Sequence, residues 1–281
     1  MNWLDSNHQP EIDLINADLH GTNLSEAYLV KADLAGADLT GVQLCKANLT
    51  GANLTGAELI DANLRQANLT GANLQSAYLI DADLYRANLI GSDLRSVMAR
   101  GANFSQANLI GTSIRQGKLP QVNFMQAKLN RANLSETDLV KASFDRADLS
   151  GANFYEAELQ SASFYQANLY RVKAIATHLS HSYFLASSLV EASLVGCDLR
   201  WANLGYANLQ SADLHTAKLR GASLIRANLT GANLTGANLR GADLTNANLC
   251  QANLTGADLE DTIFHKTILT ETIMPDGTIH Y

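Results

Sequence analysis

A leucine or phenylalanine recurs at every fifth residue along almost the whole chain. Between Leu14 and Leu269 this register has 52 positions, of which 42 are Leu, seven are Phe, one is Ile and two are Ala. Two residues before each large apolar residue lies a small one, most often Ala, and the residue between them is most often Asp or Asn. A period of five fits neither the 3.6-residue repeat of an α-helix nor the alternation of a long strand.

Each pentapeptide therefore predicts one short side followed by a turn. Residues two apart on a strand point to the same face, so the large and small apolar residues point inward and the polar residue points outward. Glycine occupies the second turn position sixteen times, as in Gly51, Gly56 and Gly71. Glycine adopts a positive φ without steric cost, which tight turns often require. A chain that turns after every five residues winds into a coil.

The phenylalanines predict the size of that coil. Six of the seven are separated by multiples of twenty residues, and Phe154 is the exception. The six are Phe104, Phe124, Phe144, Phe164, Phe184 and Phe264. Four pentapeptides per coil place these six in one column, which predicts about 13 coils of 20 residues.

Two alanines at the large apolar position test this interpretation. Val97 precedes Ala99 and Val172 precedes Ala174, in each case two residues earlier. Close packing favours a compensating change of volume within the core. The alternative is a small ligand cavity beside one of these alanines.

The pattern A(D/N)LXX, as in Ala17-Asp18-Leu19, resembles the pentapeptide-repeat protein family, with the bias of its cyanobacterial members. The resemblance covers residues 12 to about 274 and implies an all-β fold, a right-handed quadrilateral β-helix. It implies no single function, because members include proteins that protect DNA gyrase by resembling duplex DNA and cyanobacterial regulators whose targets are proteins. It also implies no catalytic residues. We expect an N-terminal cap at 1–11, a β-helix at 12–274 and a C-terminal turn and tail at 275–281.

The two ends depart from the repeat. Residues 1–11 carry Trp3 and Leu4, which we expect to cover the first coil, because a solenoid needs caps. Near the other end, the outward position is isoleucine three times, at Ile263, Ile268 and Ile273. The sequence Pro275-Asp276-Gly277 predicts a turn after which the tail covers these isoleucines. The alternative is an end-to-end homodimer through the same residues, as in gyrase-protecting members of the family, so both a monomer and this dimer stay open.

Composition excludes several classes of protein. The formal net charge of −7 argues against direct binding of nucleic acid. No run approaches the roughly 18 apolar residues that span a membrane, and the start MNWLDSNHQPEID lacks the features of a signal peptide. Three cysteines form no disulfide framework. We therefore expect a cytoplasmic protein without a membrane partner. Motifs of catalytic, cofactor or metal sites are absent from the sequence, so we expect no cofactor.

Outward aromatic residues gather between residues 155 and 206, where the consensus decays. Aromatic and arginine side chains are enriched at binding hot spots, and a departure from a rule that is kept elsewhere points to function. The alternative is drift on a tolerant surface. The predicted partner-binding residues are Tyr155, Tyr165, Tyr170, His178, His181, Tyr183, Arg200, Trp201, Tyr206, Lys218 and Arg220.

Charged residues twenty apart form a second feature. Asp138, Glu158, His178, Asp198 and Lys218 fall in one column of the predicted coil. The column favours a ladder of surface ion pairs. A metal site at Glu158, His178 and Asp198 is the alternative, which the linear arrangement disfavours because zinc prefers tetrahedral ligands.

These patterns predict a non-catalytic rigid scaffold that binds a protein partner of unknown identity through one face, with regulation as one such role. One alternative is a DNA mimic that binds a nucleic-acid enzyme such as gyrase, which requires a sustained acidic face. The acidic run at Asp18, Asp38, Glu58, Asp61 and Asp81 ends early in the chain. The other alternative is a weak metal-binding or enzymatic role centred on His178.

Overall fold

The structure is a computed structural model that describes residues 12–281. The predicted cap at 1–11 lies outside the described residues. The chain divides into two units, Met1–Asp138 and Leu139–Tyr281. None of the described residues belongs to a helix long and apolar enough to cross a bilayer.

In both units the backbone pairs with itself at intervals of twenty residues. Isolated parallel bridges join Asp33 to Asn53 and Asn53 to Asn73, and this spacing recurs along the chain. The Leu34 N–H donates to the Asn53 carbonyl at 2.7 Å, and the Asn53 N–H donates to the Ala32 carbonyl at 2.9 Å. Each pentapeptide therefore stacks on the pentapeptide four repeats away. We call such a set of residues, twenty apart, a row.

The second turn position has a positive φ at every pentapeptide from Asn16 to Glu271. Glycine fills sixteen of these positions, as the sequence predicts, but 36 carry a side chain. A left-handed conformation costs a residue with a side chain about 1–2 kcal/mol. A positive φ is therefore a property of the repeat and does not depend on glycine.

The polar residue of the motif stabilises that turn. The Asn48 Oδ1 accepts a hydrogen bond from the Thr50 N–H at 3.2 Å, and Asp18 does the same for the His20 N–H at 3.1 Å. Short side chains with an acceptor make such Asx turns, which substitute for a backbone turn. The preference for Asp and Asn at the outward position thus has a local structural cause.

Unit 1 has a core of stacked leucines that opens at its first coil. Leu34, Leu39 and Leu44 are fully buried, and the Phe104 and Phe124 rings stack at 5.1 Å between centroids. At the first coil a cavity of about 110 Å³ remains. It is lined by Ile12, Leu14, Leu19, Leu24, Ala27, Tyr28 and Leu29.

Unit 2 contains a column of phenylalanines. The Phe164 ring lies between Phe144, at 5.0 Å, and Phe184, at 4.6 Å, with nearly parallel planes. Phe154 meets Phe144 and Phe164 edge-on at 5.7 and 6.3 Å. The sequence correctly separates Phe154 from this column.

A void of about 10 Å³ lies beside Ala174. Its lining includes Phe154, Val172 and Phe184. It is apolar and no larger than a single water requires, so it holds no small-molecule ligand. The predicted compensation of volume is therefore confirmed at Ala174, and the alternative of a ligand cavity there is wrong.

The chain ends in a two-stranded antiparallel hairpin. Strand β1, Thr272–Ile273, pairs with β2, Ile279–His280, so that Thr272 faces His280. The Asp276 Oδ1 accepts hydrogen bonds from the Thr278 N–H at 3.0 Å and from its hydroxyl at 2.7 Å. The predicted turn and the return of the tail are thus present.

The expectation that the tail covers all three isoleucines is wrong. Ile263 and Ile268 both remain 49% exposed, because β2 pairs only with Thr272–Ile273. The inward residues of the last coil are also only half-buried, as Phe264 and Leu269 show. An apolar surface therefore persists at this end of unit 2.

Candidate functional site

Three stacked segments in unit 2 carry the most exposed of the predicted binding aromatics. The segments are 180–186, 200–206 and 220–226, and parallel bridges join Tyr183 to Asn203 and Asn203 to Ser223. Each segment begins in one turn, passes through a short strand and ends in the next turn. We call their outward side chains the Tyr183 surface. Within it, Tyr183, Trp201 and Tyr206 are 53%, 57% and 54% exposed.

Trp201 lies across the glycine of the following coil. Trp201 occupies a turn position with φ 59°, and its backbone N–H donates to the Arg220 carbonyl at 3.1 Å. A methyl group on the Gly221 Cα would lie 2.3 Å from the indole ring. The absence of a side chain at Gly221 therefore determines where the indole rests.

Replacing Gly221 with alanine is expected to displace the Trp201 ring. Gly241→Ala is the matched control, because Gly241 lies in the same row with φ 65° and has nothing within 4 Å of its hypothetical Cβ. Both substitutions should lower the free energy of unfolding by about 1 kcal/mol through the positive φ. Only Gly221→Ala should shift the indole N–H resonance of Trp201 in an NMR spectrum, assigned with Trp201→Phe. Equal shifts in the two variants would show that the ring does not rest on Gly221.

Tyr206 and Leu185 lie along the opposite turn of the same surface. The Arg226 Nη1 donates to the Tyr206 hydroxyl at 2.8 Å, and the guanidinium carbon lies 5.4 Å from the ring centroid. The Leu185 Cδ1 lies 3.4 Å from the position that a Cβ on Gly205 would take. As at Trp201, each side chain packs against the next coil.

The Tyr183 surface has basic residues and no carboxylate in its three segments. The charge of Arg200 is balanced by a residue outside these segments, because the Arg200 Nη2 lies 2.6 Å from the Asp198 Oδ2. This hydrogen bond is the main cause that lowers the pKa of Asp198. Neither Arg220 nor Arg226 forms an ion pair within residues 12–281. These two guanidiniums therefore give the surface its uncompensated positive charge.

His178 and Lys218 lie in the adjacent row, which runs through Glu158, His178, Asp198 and Lys218. The His178 Nδ1 is 2.8 Å from both carboxylate oxygens of Glu158. Asp198 is bound by Arg200, so the three proposed metal ligands do not converge. Across the described residues, no group of three His, Cys, Asp or Glu side chains is placed to hold a metal ion.

Three predicted tyrosines lie apart from the Tyr183 surface. Tyr165 is in the row of Leu185, one coil earlier, where the Arg146 guanidinium lies 5.9 Å from its ring centroid. Tyr155 and Tyr170 occupy two other turn rows. The predicted partner-binding residues therefore do not form one surface. Only residues about twenty apart stack, so residues that are close in sequence lie at different turns. The residues that the structure brings together are His181, Tyr183, Arg200, Trp201, Tyr206 and Arg220.

Sequence reasoning missed arginine–tyrosine contacts at two tyrosines, Tyr206 and Tyr85. Arg226 belongs to the Tyr183 surface through its contact with Tyr206. In unit 1, the guanidinium carbons of Arg65 and Arg86 lie 4.5 and 5.0 Å from the Tyr85 centroid. The twenty-residue spacing of Arg65 from Tyr85, and of Tyr206 from Arg226, was the available signal.

Three residues of the predicted acidic run form a short row in unit 1, whereas Asp61 and Asp81 lie in a separate turn row. Bridges connect Asp18, Asp38 and Glu58, after which the row continues with Tyr78 and Met98. The Thr40 N–H donates to the Asp38 carboxylate at 3.0 Å and lowers its pKa. The carboxylate of Asp38 thus also stabilises the turn by accepting this hydrogen bond.

The chain is similar to known proteins over most of its length. The family model described as pentapeptide repeats (8 copies) matches overlapping segments that together span residues 12–270. HetL, a pentapeptide repeat protein involved in heterocyst differentiation regulation from the cyanobacterium Nostoc sp. strain PCC 7120, is 33% identical. The match covers 79% of this chain and 92% of HetL, with a TM-score of 0.46.

Two further solved structures are similar over smaller parts of the chain. QnrB1, a plasmid-mediated fluoroquinolone resistance protein, is 22% identical over 66% of this chain and 88% of its own, with a TM-score of 0.45. A pentapeptide repeat protein from the thylakoid lumen of Arabidopsis thaliana is 27% identical over 44% of this chain and 63% of its own, with a TM-score of 0.18. No curated protein matches the chain.

Proposed function

Because the chain belongs to the pentapeptide-repeat family and thus forms a right-handed β-helix, we propose that it is a non-catalytic scaffold that binds a protein partner. The binding site is the Tyr183 surface. The observation that carries this proposal is the group of three aromatic side chains, each more than half exposed, beside Arg220 and Arg226, which form no ion pair within residues 12–281. Aromatic and arginine side chains supply most of the binding energy at protein interfaces.

Side chains, not backbone, provide the recognition on this surface. The Tyr183 N–H donates to the Ala162 carbonyl at 2.9 Å, and the Asn203 N–H donates to the Ser182 carbonyl at 2.9 Å. Since neighbouring coils already pair these strands, a partner cannot add a strand here as it does at an open sheet edge. Contacts to Gly221 and Arg226 hold the Trp201 and Tyr206 rings in place before binding, which reduces the entropy lost on association.

The proposal also covers the shape and number of the coils and the cellular location of the protein. We propose a four-sided coil and about thirteen coils, which the bridges at twenty-residue intervals support. A cytoplasmic location remains a prediction. The chain is proposed to be a monomer or a homodimer through the C-terminal end, and the exposed Ile263 and Ile268 support the dimer.

The acidic row of unit 1 supports a second candidate, a DNA mimic that binds a nucleic-acid enzyme such as gyrase. Asp18, Asp38 and Glu58 present carboxylates at successive coils. The row then loses its charge at Tyr78 and Met98. A mimic of duplex DNA needs a longer regular array of negative charge, so this candidate is the weaker one.

Capture of a partner from the lysate of the source organism tests the proposal. The variant with Tyr183→Ser, Trp201→Ser and Tyr206→Ser should lose a protein that the wild type retains. Arg200 stays unchanged because it pairs with Asp198. Serine is compatible with these positions, since Ser163 and Ser161 occupy the rows of Tyr183 and Trp201, and Ser211 adopts a positive φ at the same position of its turn as Tyr206.

A variant of unit 1 is the matched control. Tyr78→Ser, Ile90→Ser and Met125→Ser also remove three exposed apolar side chains. The control should retain the partner, and circular dichroism should show an intact fold in both variants. Equal retention by both variants, or no specific protein on the wild type, would contradict the proposal.

A further inference from the structure

We propose that the partner presents an acidic segment to the Tyr183 surface, with carboxylates flanking an apolar side chain. This inference rests on the proposed function and adds the chemistry of the partner. It applies to a protein segment bound through side chains of residues 180–186, 200–206 and 220–226.

The distribution of charge carries the first step. The whole chain has 27 acidic and 20 basic residues, yet these three segments contain three arginines, one histidine and no carboxylate. Arg220 and Arg226 have no ion-pair partner within the described part of the chain. Unpaired guanidiniums that an apolar interface desolvates bind carboxylates through strong, charge-assisted hydrogen bonds.

The positions of the two arginines carry the second step. Arg220 adjoins Gly221, on which the Trp201 ring rests, at one turn. Arg226 contacts the Tyr206 ring at the other turn. Between these two aromatic–arginine pairs lie the exposed Tyr183 and the half-buried Ile225. A segment with a central apolar residue and a carboxylate on each side matches this order.

Single-stranded nucleic acid also combines negative charge with groups that stack on aromatic rings. Its affinity depends on the number of phosphates neutralised, and only two guanidiniums are uncompensated here. The net charge of −7 opposes a polyanion further. A short acidic protein segment needs only the two charges that the surface provides.

Site-directed photocrosslinking tests the inference with full-length protein. Tyr183 is replaced by p-benzoylphenylalanine, which preserves an outward aromatic ring, and the protein is irradiated in a lysate of the source organism. Tyr78, 39% exposed in unit 1, receives the same replacement as a matched control. Peptides crosslinked through position 183 are identified by mass spectrometry, and nucleic-acid adducts are measured in parallel. We expect protein adducts whose peptides carry Asp or Glu within a few residues of the crosslink.

Two arginine variants, one of them a control, provide a second readout in the same experiment. Arg220→Gln should reduce the yield of the crosslink about tenfold, the equivalent of one strong charged contact. Arg240→Gln should leave the yield unchanged, because Arg240 already pairs with Glu260 at 2.8 Å and lies outside the surface.

The outcomes separate this inference from the proposed function. Specific crosslinks to neutral or basic peptides, or an unchanged yield with Arg220→Gln, would overturn the acidic segment and leave the protein-binding surface standing. Crosslinks to nucleic acid alone would overturn both, as would a yield no greater than that of the Tyr78 control.

Discussion

Replacing Phe164 with alanine is expected to lower the free energy of unfolding of unit 2 by about 3–5 kcal/mol. The Phe164 ring is 1% exposed and lies between the rings of Phe144 and Phe184, with Phe154 at its edge. The substitution removes contacts to all three rings. It also enlarges the apolar void beside Ala174, which Phe164 already lines. The added cavity cost places the effect well above that of an average point substitution.

Denaturant unfolding followed by circular dichroism measures this loss. Phe264→Ala is the matched control, since Phe264 is only half-buried in the last coil and should cost less than half as much. Phe164→Leu should cost about 1 kcal/mol, because leucine fills the same position in most repeats and keeps part of the volume. A Phe164→Ala variant no less stable than Phe264→Ala would contradict the importance of the ring column.

The register of the fold was predictable because one residue class marks it at every fifth position. A slip of one residue would expose the leucines, so the unbroken spacing from Leu14 to Leu269 determines which side chains face inward. The phenylalanines added the twenty-residue spacing because rings in successive coils stack, as Phe164 and Phe184 do at 4.6 Å.

The turns were only partly predictable. Sequence reasoning assigned a positive φ to glycine, whereas Trp201 and Tyr206 adopt 59° and 57° with side chains present. Asx hydrogen bonds at many turns, as at Asn48, and inter-coil hydrogen bonds, as from Trp201, hold this conformation, and neither depends on a distinctive residue at the turn itself. The conformational preference of glycine therefore predicted too few of the positions that adopt a positive φ.

The candidate site was predictable as a segment but not as a surface. Tyr155, Tyr170 and Tyr183 are close in sequence, yet they lie in different rows. The pairing of Asp198 also escaped prediction, because the row alone favours His178 and Lys218 as its partners. The Arg200 side chain reaches Asp198 from within the same turn, which only side-chain geometry reveals.

Loss of Trp201 is expected to have the largest effect on binding. Trp201→Ala should weaken the complex with the captured partner by about 2 kcal/mol or more, which corresponds to roughly thirtyfold in Kd. The indole is the most exposed aromatic side chain of the Tyr183 surface and is already positioned over Gly221. Tyr183→Ala should also weaken binding, since Tyr183 occupies the middle of the surface.

Isothermal titration calorimetry of the captured partner against four proteins tests the central claim most directly. The four are the wild type, Trp201→Ala, Tyr183→Ala and the control Tyr78→Ala. The account predicts that Kd rises at least about thirtyfold for Trp201→Ala, rises for Tyr183→Ala and stays within about twofold for Tyr78→Ala. Equal affinity of all four proteins, or weakening by Tyr78→Ala alone, would contradict the assignment of the Tyr183 surface as the binding site.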